Sequence, residues 1–523
     1  MVVPAVMRRV LARNKMFAAV LIPAFLLRVD AELGYRWQSW FNDSWDYMDT
    51  AVTLKLNPAR PSGYSLYLFL LRPFHSLALV TISQHLMGLL VAVMIYALAR
   101  RRFHAPAWIA VLATLPVLFD GFAIQLEHLI MSDTVFLFLA MLAVTLVLWN
   151  PRPSWWVCLL VGLVLGLSAI VRSTGLPLIA VFAVYLAIRY LLDRRWLSGV
   201  IGIAVCCAAF AAPVLGYEGW YDIQQGHFTM SESTGVFLYS RVMTFAECSK
   251  MNPPTDLLPL CTTVPPDKRP IAQAYIWTQA SPLNRFPAPK FSPVPNELAE
   301  QFAVKAIESQ PLDYARTVFD DTARVFAWPR AVFPNPATYD EYLFGYHSVA
   351  IPTGHAADGY PSSAQAYLNG GSPLTQIVNP FAAIIRGYQR YVWLPGTVYG
   401  LILLVGLIGM VRRWRRIGGE ALLPWLCSVA LIVVPAATAE FDYRYVTTAV
   451  PFACLAAVLS LFASRRAAED EASDVGVGDG DGAAAGGESG GAPSLPRHVP
   501  SGGPGGGTAD SGHDKRDLAP DAS

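Results

Sequence analysis

Residues 77–102 read LALVTISQHLMGLLVAVMIYALARRR, an apolar run that ends in three consecutive arginines. A helix of about 20 apolar residues spans the hydrocarbon core of a bilayer, and arginines beside such a helix stay on the cytoplasmic side. This stretch therefore predicts a transmembrane helix whose C-terminal end lies in the cytoplasm.

The composition of the whole chain is that of a membrane protein. Hydrophobic residues make up 54% of the 523 residues, charged residues only 15%, and the mean hydropathy is +0.39. A soluble domain carries about 25% charged residues, so this many apolar side chains do not fit into cores surrounded by water. The net charge of +1 gives no electrostatic basis for nucleic acid as a partner.

Nine further apolar stretches bring the number of predicted spans to ten. The ten spans lie at about 14–33, 77–98, 106–119, 131–149, 155–171, 175–191, 196–215, 392–411, 421–439 and 445–463. With the N-terminus in the cytoplasm, every basic cluster in a short connection falls on the cytoplasmic side. The sequence thus predicts an α-helical multi-pass protein of the plasma membrane with both termini in the cytoplasm.

These spans divide the chain into four parts. They are an N-terminal membrane module of about seven helices at 1–215, an extracytoplasmic mixed domain at 216–391, a C-terminal membrane module of about three helices at 392–466, and a tail at 467–523. The tail is rich in Gly, Ala, Ser, Pro and Asp, which bury too little apolar surface to fold, so it is predicted to be disordered. The first outer loop of the N-terminal module, residues 34–76, is rich in aromatic and acidic residues.

The extracytoplasmic segment has two internal features of its own. Residues 296–310 and 312–328 have apolar residues at helical spacing on either side of Pro311, which predicts two amphipathic helices. Cys248 and Cys261 both lie in an oxidising compartment under this topology, so a disulfide between them is a hypothesis, with two free thiols as the alternative.

The first candidate site is in the acidic outer loop, at Asn42-Asp43-Ser44-Trp45-Asp46-Tyr47. If this stretch is helical, Asp43, Asp46 and Tyr47 share one face. Two carboxylates in an aromatic setting can have their pKa values pushed apart, which suits one of them as a general base. The plainer interpretation is a helix cap with an interfacial aromatic anchor.

Two shorter outer connections carry further polar residues. Glu127 and His128 lie between the third and fourth predicted spans, just before Asp133, which is interpreted as a helix cap. Arg172 follows the fifth span, where the positive-inside rule does not place an arginine. Arg172 therefore needs an anionic partner, either a carboxylate such as Glu127 or a lipid phosphate.

The densest polar cluster lies between the last two spans, at Glu440-Phe441-Asp442-Tyr443-Arg444-Tyr445. An internally paired loop with interfacial tyrosines is the alternative interpretation. Acids and arginines from four connections nevertheless converge at the level of the lipid headgroups. Such a set suits an enzyme whose arginines hold a lipid-linked phosphate while a carboxylate deprotonates an acceptor hydroxyl.

Taken in order, these residues resemble the bacterial phospholipid-carrier-dependent glycosyltransferases of the GT-C fold, which are related to protein O-mannosyltransferases and aminoarabinose transferases. The resemblance covers about 30–465. It rests on the acidic outer loop, Pro61-Ser62-Gly63-Tyr64, Glu127, Arg172 beside Thr174-Gly175, and Arg444-Tyr445 with Pro451. The loop lacks the adjacent Asp-Glu pair of the mannosyltransferases. The excess of arginine over lysine, with abundant alanine and glycine, indicates a GC-rich and actinobacterial genome.

The resemblance implies transfer of mannose, arabinofuranose or a similar sugar, with inversion, from a polyprenyl-phosphate donor to an extracytoplasmic glycan, lipid or protein. It makes Asp43 the base, with Asp46 in reserve. The residues it implies for substrate binding are Tyr47, Glu127, His128, Arg172, Glu440, Asp442, Tyr443, Arg444 and Tyr445. No cofactor and no metal are expected, because two arginines can neutralise one lipid phosphate.

The alternative function is a transporter or flippase of a lipid-linked or anionic substrate. Ten spans would suit it, and Gln84 and His85 inside the second span would then be pathway residues. Transporters, however, place substrate near the midplane between repeated halves. This chain shows no repeat, and its charged residues gather at one face.

Overall fold

The structure is a computed structural model that describes residues 14–36, 38–150, 152–347 and 360–476, without the side chains of 360, 361 and 463–476. In these residues the chain is almost entirely helical. The sheet it contains is one antiparallel pair of two-residue strands, β1 (Tyr35–Arg36) and β2 (Gln376–Ile377). The pair ties the end of the first helix to residues 376 and 377, far from it in sequence.

Eleven helices lie in the N-terminal half of the described chain. They are α1 (Lys15–Gly34), α2 (Ser44–Thr53), α3 (Gly63–Leu71), α4 (Leu77–Ala97), α5 (Ala107–Leu112), α6 (Leu115–Phe119), α7 (Gly121–His128), α8 (Ser132–Trp149), α9 (Trp155–Val171), α10 (Leu178–Leu192) and α11 (Trp196–Gln225). A π-helical turn at Leu98–Arg102 extends α4, and a 3-10 turn at Ser173–Gly175 precedes α10.

Eleven more helices follow in the described residues. They are α12 (Thr234–Val242), α13 (Cys248–Met251), α14 (Ala274–Trp277), α15 (Pro293–Ser309), α16 (Pro311–Arg324), α17 (Pro336–Glu341), α18 (Tyr360–Tyr367), α19 (Phe381–Tyr391), α20 (Gly396–Arg412), α21 (Leu422–Thr438) and α22 (Tyr443–Gly476). Residues up to 469 belong to one compact unit and later residues to a second.

Six stretches of the described chain are long and apolar enough to cross a bilayer. They are Leu77–Arg102, Ser132–Trp149, Ser173–Leu192, Trp196–Gln225, Gly419–Thr438 and Tyr443–Phe462. Two bent pairs, Ala107–Phe119 with Gly121–His128 and Phe381–Tyr391 with Gly396–Arg412, raise the number to eight. The other two predicted spans are α1, which carries three charged residues near its end, and α9, which has 17 residues. The count of ten stays a prediction.

In the described residues of the long segment predicted as a mixed domain, the regular elements apart from β2 are all helices, joined by irregular stretches. Its prolines explain part of this, because Pro293, Pro311 and Pro336 stand in the first turn of a helix, where the missing N–H has no partner to lose. The two amphipathic helices expected around Pro311 are confirmed as α15 and α16, although α15 begins three residues earlier than predicted.

Two predicted boundaries fall inside helices. Helix α11 continues through residue 215 to Gln225, and α22 continues through 467 to Gly476, where the sequence had predicted the disordered tail to begin. Residues 464–473 read SRRAAEDEAS, and most of these are good helix formers, which explains the extension. The rest of the predicted tail lies outside the described residues.

Small residues bring α9 and α11 into close contact. A Cβ on Gly162 would lie 2.1 Å from the carbonyl oxygen of Cys206, and one on Gly166 would lie 2.5 Å from that of Phe210. Glycines four residues apart allow this close approach of two backbones in a membrane. The contact fixes α11, whose last turns then hold the loop between α2 and α3.

Hydrogen bonds from two residues of α11 attach the loop between α2 and α3 to that helix. Gln224 accepts the N–H of Leu56 at 3.1 Å and donates to the carbonyl of Leu54 at 2.9 Å. The hydroxyl of Tyr217 accepts the N–H of Ser62 at 3.1 Å. The loop therefore has a fixed path, and Arg60 lies within it.

The segment after α11 has a core of its own, formed mainly by α12 and α15 with Tyr239 and Phe302 at its centre. The hypothesis of a disulfide is confirmed, since Cys248 is bonded to Cys261. The bond closes the chain between α13 and a 3-10 turn at Leu258–Leu260, both of which pack on this core.

Replacing both cysteines by serine is expected to lower the free energy of unfolding of this segment by about 3 kcal/mol, because a cross-link over this short loop restricts the unfolded chain. Thermal unfolding with and without reductant would measure the loss. Cys207→Ser is the matched control, because Cys207 is exposed and free. Equal melting temperatures in the double variant and the control would contradict the expectation.

Candidate active site

Five charged residues from three parts of the chain form a row of ion pairs, which we call the charge cluster. Its members, in spatial order, are Asp46, Arg60, Asp43, Arg444 and Asp442. Asp43 is at the centre, with Oδ1 2.6 Å from Nη1 of Arg60 and Oδ2 2.7 Å from Nη1 of Arg444. Arg60 also lies 3.1 Å from Asp46, and Arg444 lies 3.1 Å from Asp442. Acid and base therefore alternate along the row.

Local structure places the two acids of the loop side by side. Asp43 precedes α2, and Asp46 lies in the first turn of that helix. One guanidinium, that of Arg60, contacts both carboxylates and lies 5.6 Å from the centre of the Tyr47 ring. The shared face predicted for these three residues is confirmed.

The sequence pattern did not single out Arg60, which directly precedes Pro61-Ser62-Gly63-Tyr64. The signal that singled out Arg172 is weaker for Arg60, because the outer loop predicted at 34–76 also carries Arg36, Lys55 and Arg72. Arg60 and Arg444 retain side-chain exposures of 15%, and Asp43 retains 17%. The cluster is therefore nearly enclosed but can be reached by a ligand.

The electrostatics of the cluster are dominated by its arginines. Burial alone would raise the pKa of Asp43, but Arg60 and Arg444 outweigh burial and hold this pKa well below its usual range. Burial raises the pKa of Asp442, against the opposing effect of Arg444. Asp43 is thus a fully ionised carboxylate while both arginines remain on it.

The long segment 216–391 closes over the cluster with two residues that the sequence analysis did not name. The hydroxyl of Tyr342 donates a hydrogen bond to Asp442. Glu341 accepts the backbone N–H of Asn42 at 3.1 Å, next to Asp43. Burial raises the pKa of Glu341 to about 8, and the charges of Asp43 and Asp442 act in the same direction.

Replacing Glu341 by Gln is expected to make thermal stability less dependent on pH. The pKa of Glu341 is raised in the folded protein to about 8 from an unfolded value of about 4.5, so the folded state keeps a proton that the unfolded chain has lost. Wild-type stability therefore falls as pH rises through this window. Gln does not titrate and can still accept the N–H of Asn42.

The measurement is the melting temperature of both proteins in detergent at about pH 5 and about pH 9. The melting temperature of Glu341→Gln minus that of the wild type should be larger at the higher pH. A difference that stays constant across the range would contradict the raised pKa of Glu341.

A second ion pair lies beside the charge cluster. Arg172, just after α9, pairs with Asp133 in the first turn of α8. The ring of Tyr445 stands next to two guanidinium groups, with its centre 5.0 Å from Cζ of Arg172 and 5.6 Å from Cζ of Arg444. Glu127 was suggested as the partner of Arg172, but the structure gives that place to Asp133, which is more than a helix cap.

Four of the residues predicted to bind substrate lie outside this region. Glu127 forms two 2.8 Å bonds with Arg28, and His128 contacts the carbonyl of Tyr35. Glu440 accepts the N–H groups of Ala272 and Gln273, and the hydroxyl of Tyr443 donates to the carbonyl of Ala331. These contacts hold segments of the protein together. They arise from partners far away in sequence, which local pattern does not reveal.

Chemically, the region combines a carboxylate with a set of arginines at the ends of apolar helices. Planar guanidinium groups bind phosphate in bidentate geometry, and a carboxylate can receive a proton when its counter-charge is withdrawn. The oxygens of Asp43 are engaged with arginine nitrogens. A group with the spacing of metal ligands, Glu32 with His85 and His128, lies elsewhere in the described structure.

Comparison with protein families matches residues 66–217 to a family described as dolichyl-phosphate-mannose-protein mannosyltransferase. The matched segment runs from within α3 into α11 and contains Asp133 and Arg172. Comparison with curated proteins gives no match.

Two kinds of solved structure are similar to the chain. The archaeal oligosaccharyltransferase AglB from Archaeoglobus fulgidus, in complex with an inhibitory peptide and a dolichol-phosphate, has 13% identity, with 90% of this chain and 53% of that chain covered and a TM-score of 0.38. ArnT from Cupriavidus metallidurans bound to undecaprenyl phosphate has 13% identity, with 90% and 81% covered and a TM-score of 0.33. The chain spans about half the length of the archaeal structure, 53% of it.

Proposed function

We propose that this chain is a membrane glycosyltransferase that takes a sugar from a polyprenyl-phosphate donor and passes it to an extracytoplasmic acceptor. The observation that carries the proposal is the position of Asp43 between Arg60 and Arg444. The match of residues 66–217 to a family of mannosyltransferases supports it. The sugar, such as mannose or arabinofuranose, and the acceptor, whether a glycan, a lipid or a protein, are left to experiment.

The donor phosphate binds to the arginines. Arg444 is bonded to two carboxylates, and a phosphate oxyanion competes with Asp43 for its guanidinium. Arg172 is next to the same Tyr445 ring, with its Cζ 5.0 Å from the ring centre, and offers a second positive charge. Two arginines then face the phosphate that becomes the leaving group, where they stabilise its growing charge.

Binding of the donor changes the state of Asp43. When Arg444 turns to the phosphate, Asp43 loses one of the two positive charges that keep its pKa low, and its affinity for a proton rises. This couples the base to the donor, because Asp43 is a weak base until the phosphate has arrived. Asp46, which shares Arg60 with Asp43, is the reserve base.

The reaction is a single displacement. The acceptor oxygen forms a bond to the anomeric carbon while the bond from that carbon to the phosphate oxygen breaks. The acceptor proton moves to Asp43, and polyprenyl phosphate leaves with the electron pair, held by Arg444 and Arg172. Attack opposite to the leaving group inverts the anomeric centre, as the sequence resemblance implies.

The other residues predicted to bind substrate fall into two groups, those at the charge cluster and those away from it. Tyr47, Asp442 and Tyr445 line the charge cluster and orient the sugar and its phosphate. Glu127, His128, Glu440 and Tyr443 hold the helices and the long segment around the site. The active site faces outward and both termini face the cytoplasm in a plasma membrane crossed ten times.

Proteoliposomes test the proposal against the transporter alternative. The vesicles hold a polyprenyl-phosphate sugar labelled in the sugar, with a soluble acceptor outside. A glycosyltransferase moves label into the acceptor and leaves unlabelled polyprenyl phosphate behind. Movement of intact donor between leaflets, with no label in the acceptor, would contradict the proposal.

A further inference from the structure

A compact group of buried polar side chains lies where three helices meet, separate from the charge cluster. Glu32 comes from the end of α1, His85 from the first half of α4, and His128 from the end of α7. Oε1 of Glu32 is 3.7 Å from Nε2 of His85 and 3.7 Å from Nδ1 of His128, and these two nitrogens are 3.2 Å apart. All three residues are at most 8% exposed.

The partners of the histidines fix where their protons are. Nε2 of His128 is 2.8 Å from the carbonyl oxygen of Tyr35, which can only accept, so Nε2 carries a hydrogen. Nδ1 of His85 is 2.8 Å from Oε2 of Glu127. Both oxygens of that carboxylate accept bonds from Arg28, so the hydrogen in its contact with His85 is on Nδ1.

A neutral imidazole has one N–H, so the other nitrogen of each ring presents a lone pair. These two nitrogens are the ones that lie 3.2 Å apart, and each is 3.7 Å from Oε1 of Glu32. Glu32 is also near the hydroxyl of Thr81, but that hydroxyl lies within bonding distance of two backbone carbonyls of its own helix. Three atoms that can each donate an electron pair to a metal ion thus converge in a buried place, an arrangement that a bound cation stabilises.

We propose that Glu32, His85 and His128 bind one zinc ion. Bonds of 2.0–2.1 Å in a tetrahedral site place neighbouring ligand atoms about 3.3 Å apart, close to the 3.2 and 3.7 Å separations seen here. Two imidazoles with one carboxylate favour zinc over magnesium or calcium, which prefer oxygen ligands. The set leaves one of four positions for a water molecule.

The surroundings of the two histidines are those of metal ligands. Each donates its other N–H to an oxygen acceptor, a carboxylate for His85 and a backbone carbonyl for His128. Such partners fix the tautomer and orient the ring in zinc sites. The salt bridge between Arg28 and Glu127 holds the first of these acceptors in place.

The metal would position the start of the acidic loop. The carbonyl of His128 accepts the N–H of Ser39 at 3.1 Å, and the N–H of Ile130 donates to the carbonyl of Ser39 at 3.1 Å. With the bond from His128 to Tyr35, these contacts tie Tyr35 and Ser39 to the end of α7, a few residues before Asp43. The zinc is a structural group here, and the inference does not rest on the proposed function.

The test begins with metal content. Full-length protein with a tag free of histidine is incubated with zinc, passed over a chelating resin and analysed for metal. Wild type is expected to retain about one zinc ion per chain. His85→Gln and His128→Gln should each lose it, whereas His227→Gln, which replaces an exposed histidine, should keep it.

X-ray absorption of the wild type keeps the test decisive if the variants fail to fold. The proposal requires imidazole scattering with nitrogen and oxygen ligands, and a chelator should lower the melting temperature of the wild type. Sulfur scattering would place the zinc on cysteines and overturn the proposal. Wild-type protein that retains no zinc would overturn the proposal as well. The three side chains would then be held together by a shared proton instead of a metal ion.

Discussion

Asp43→Asn is expected to lose sugar transfer by about 10²- to 10⁴-fold, the range attributed to a positioned proton acceptor. Asn has nearly the same shape as Asp, and its oxygen can still accept a hydrogen bond from Arg60 or Arg444. It cannot take up the acceptor proton, and it carries no charge to offset the repulsion between the two arginines. Turnover of the labelled donor by purified protein measures the effect.

Two controls separate this chemistry from folding. Binding of the donor by Asp43→Asn should be at least as strong as in the wild type, because the arginines that hold the phosphate are intact and Arg444 no longer pairs with a charged Asp43. Asp46→Asn is the matched variant, since Asp46 contacts the same guanidinium of Arg60 at 3.1 Å. Substantial turnover in Asp43→Asn together with loss in Asp46→Asn would move the base to Asp46.

Arg444→Ala is expected to weaken donor binding by about 10- to 100-fold, the equivalent of one charge-assisted hydrogen-bonded contact. Arg444 forms ion pairs with Asp43 and Asp442, and its guanidinium also lies beside the ring of Tyr445. Its removal takes away a phosphate ligand and leaves Asp442 with the hydroxyl of Tyr342. Affinity for polyprenyl phosphate measures the loss.

Arg444→Lys is a second useful variant, because lysine keeps the positive charge but lacks the planar guanidinium. Its affinity for polyprenyl phosphate should lie between those of Arg444→Ala and the wild type. Arg316→Ala serves as the matched control, since Arg316 on α16 has a side-chain exposure of 84%. Unchanged affinity in Arg444→Ala, with normal expression and melting temperature, would remove the phosphate role from this residue.

The membrane helices could be read from the sequence because their signal is local. The stretch predicted at 77–98 is α4, which covers Leu77–Ala97, and the stretch at 131–149 is α8, which covers Ser132–Trp149. Hydropathy does not say what a charged residue inside such a helix does. Arg28 lies in α1 and is 2% exposed, and its partner Glu127 is 99 residues away.

The sequence predicts some of the residues at the centre of the charge cluster, but not their contacts. The meeting of Asp43 with Arg444 was predicted only as a convergence of connections at one face, and the structure brings the two side chains to 2.7 Å. Arg60 was not singled out, because its predicted outer loop also carries Arg36, Lys55 and Arg72. Glu341 and Tyr342 lie in a long segment with no pattern that separates them from their neighbours, so only tertiary contacts reveal them.

The most direct test of the central claim is release of free polyprenyl phosphate by purified protein. A panel of polyprenyl-phosphate sugars is offered with an extract of cell-envelope acceptors, and wild type is compared with Asp43→Asn. The proposed function predicts release from at least one donor by the wild type and its loss in the variant. Folded wild-type protein that releases nothing from any donor, or a variant as active as the wild type, would contradict it.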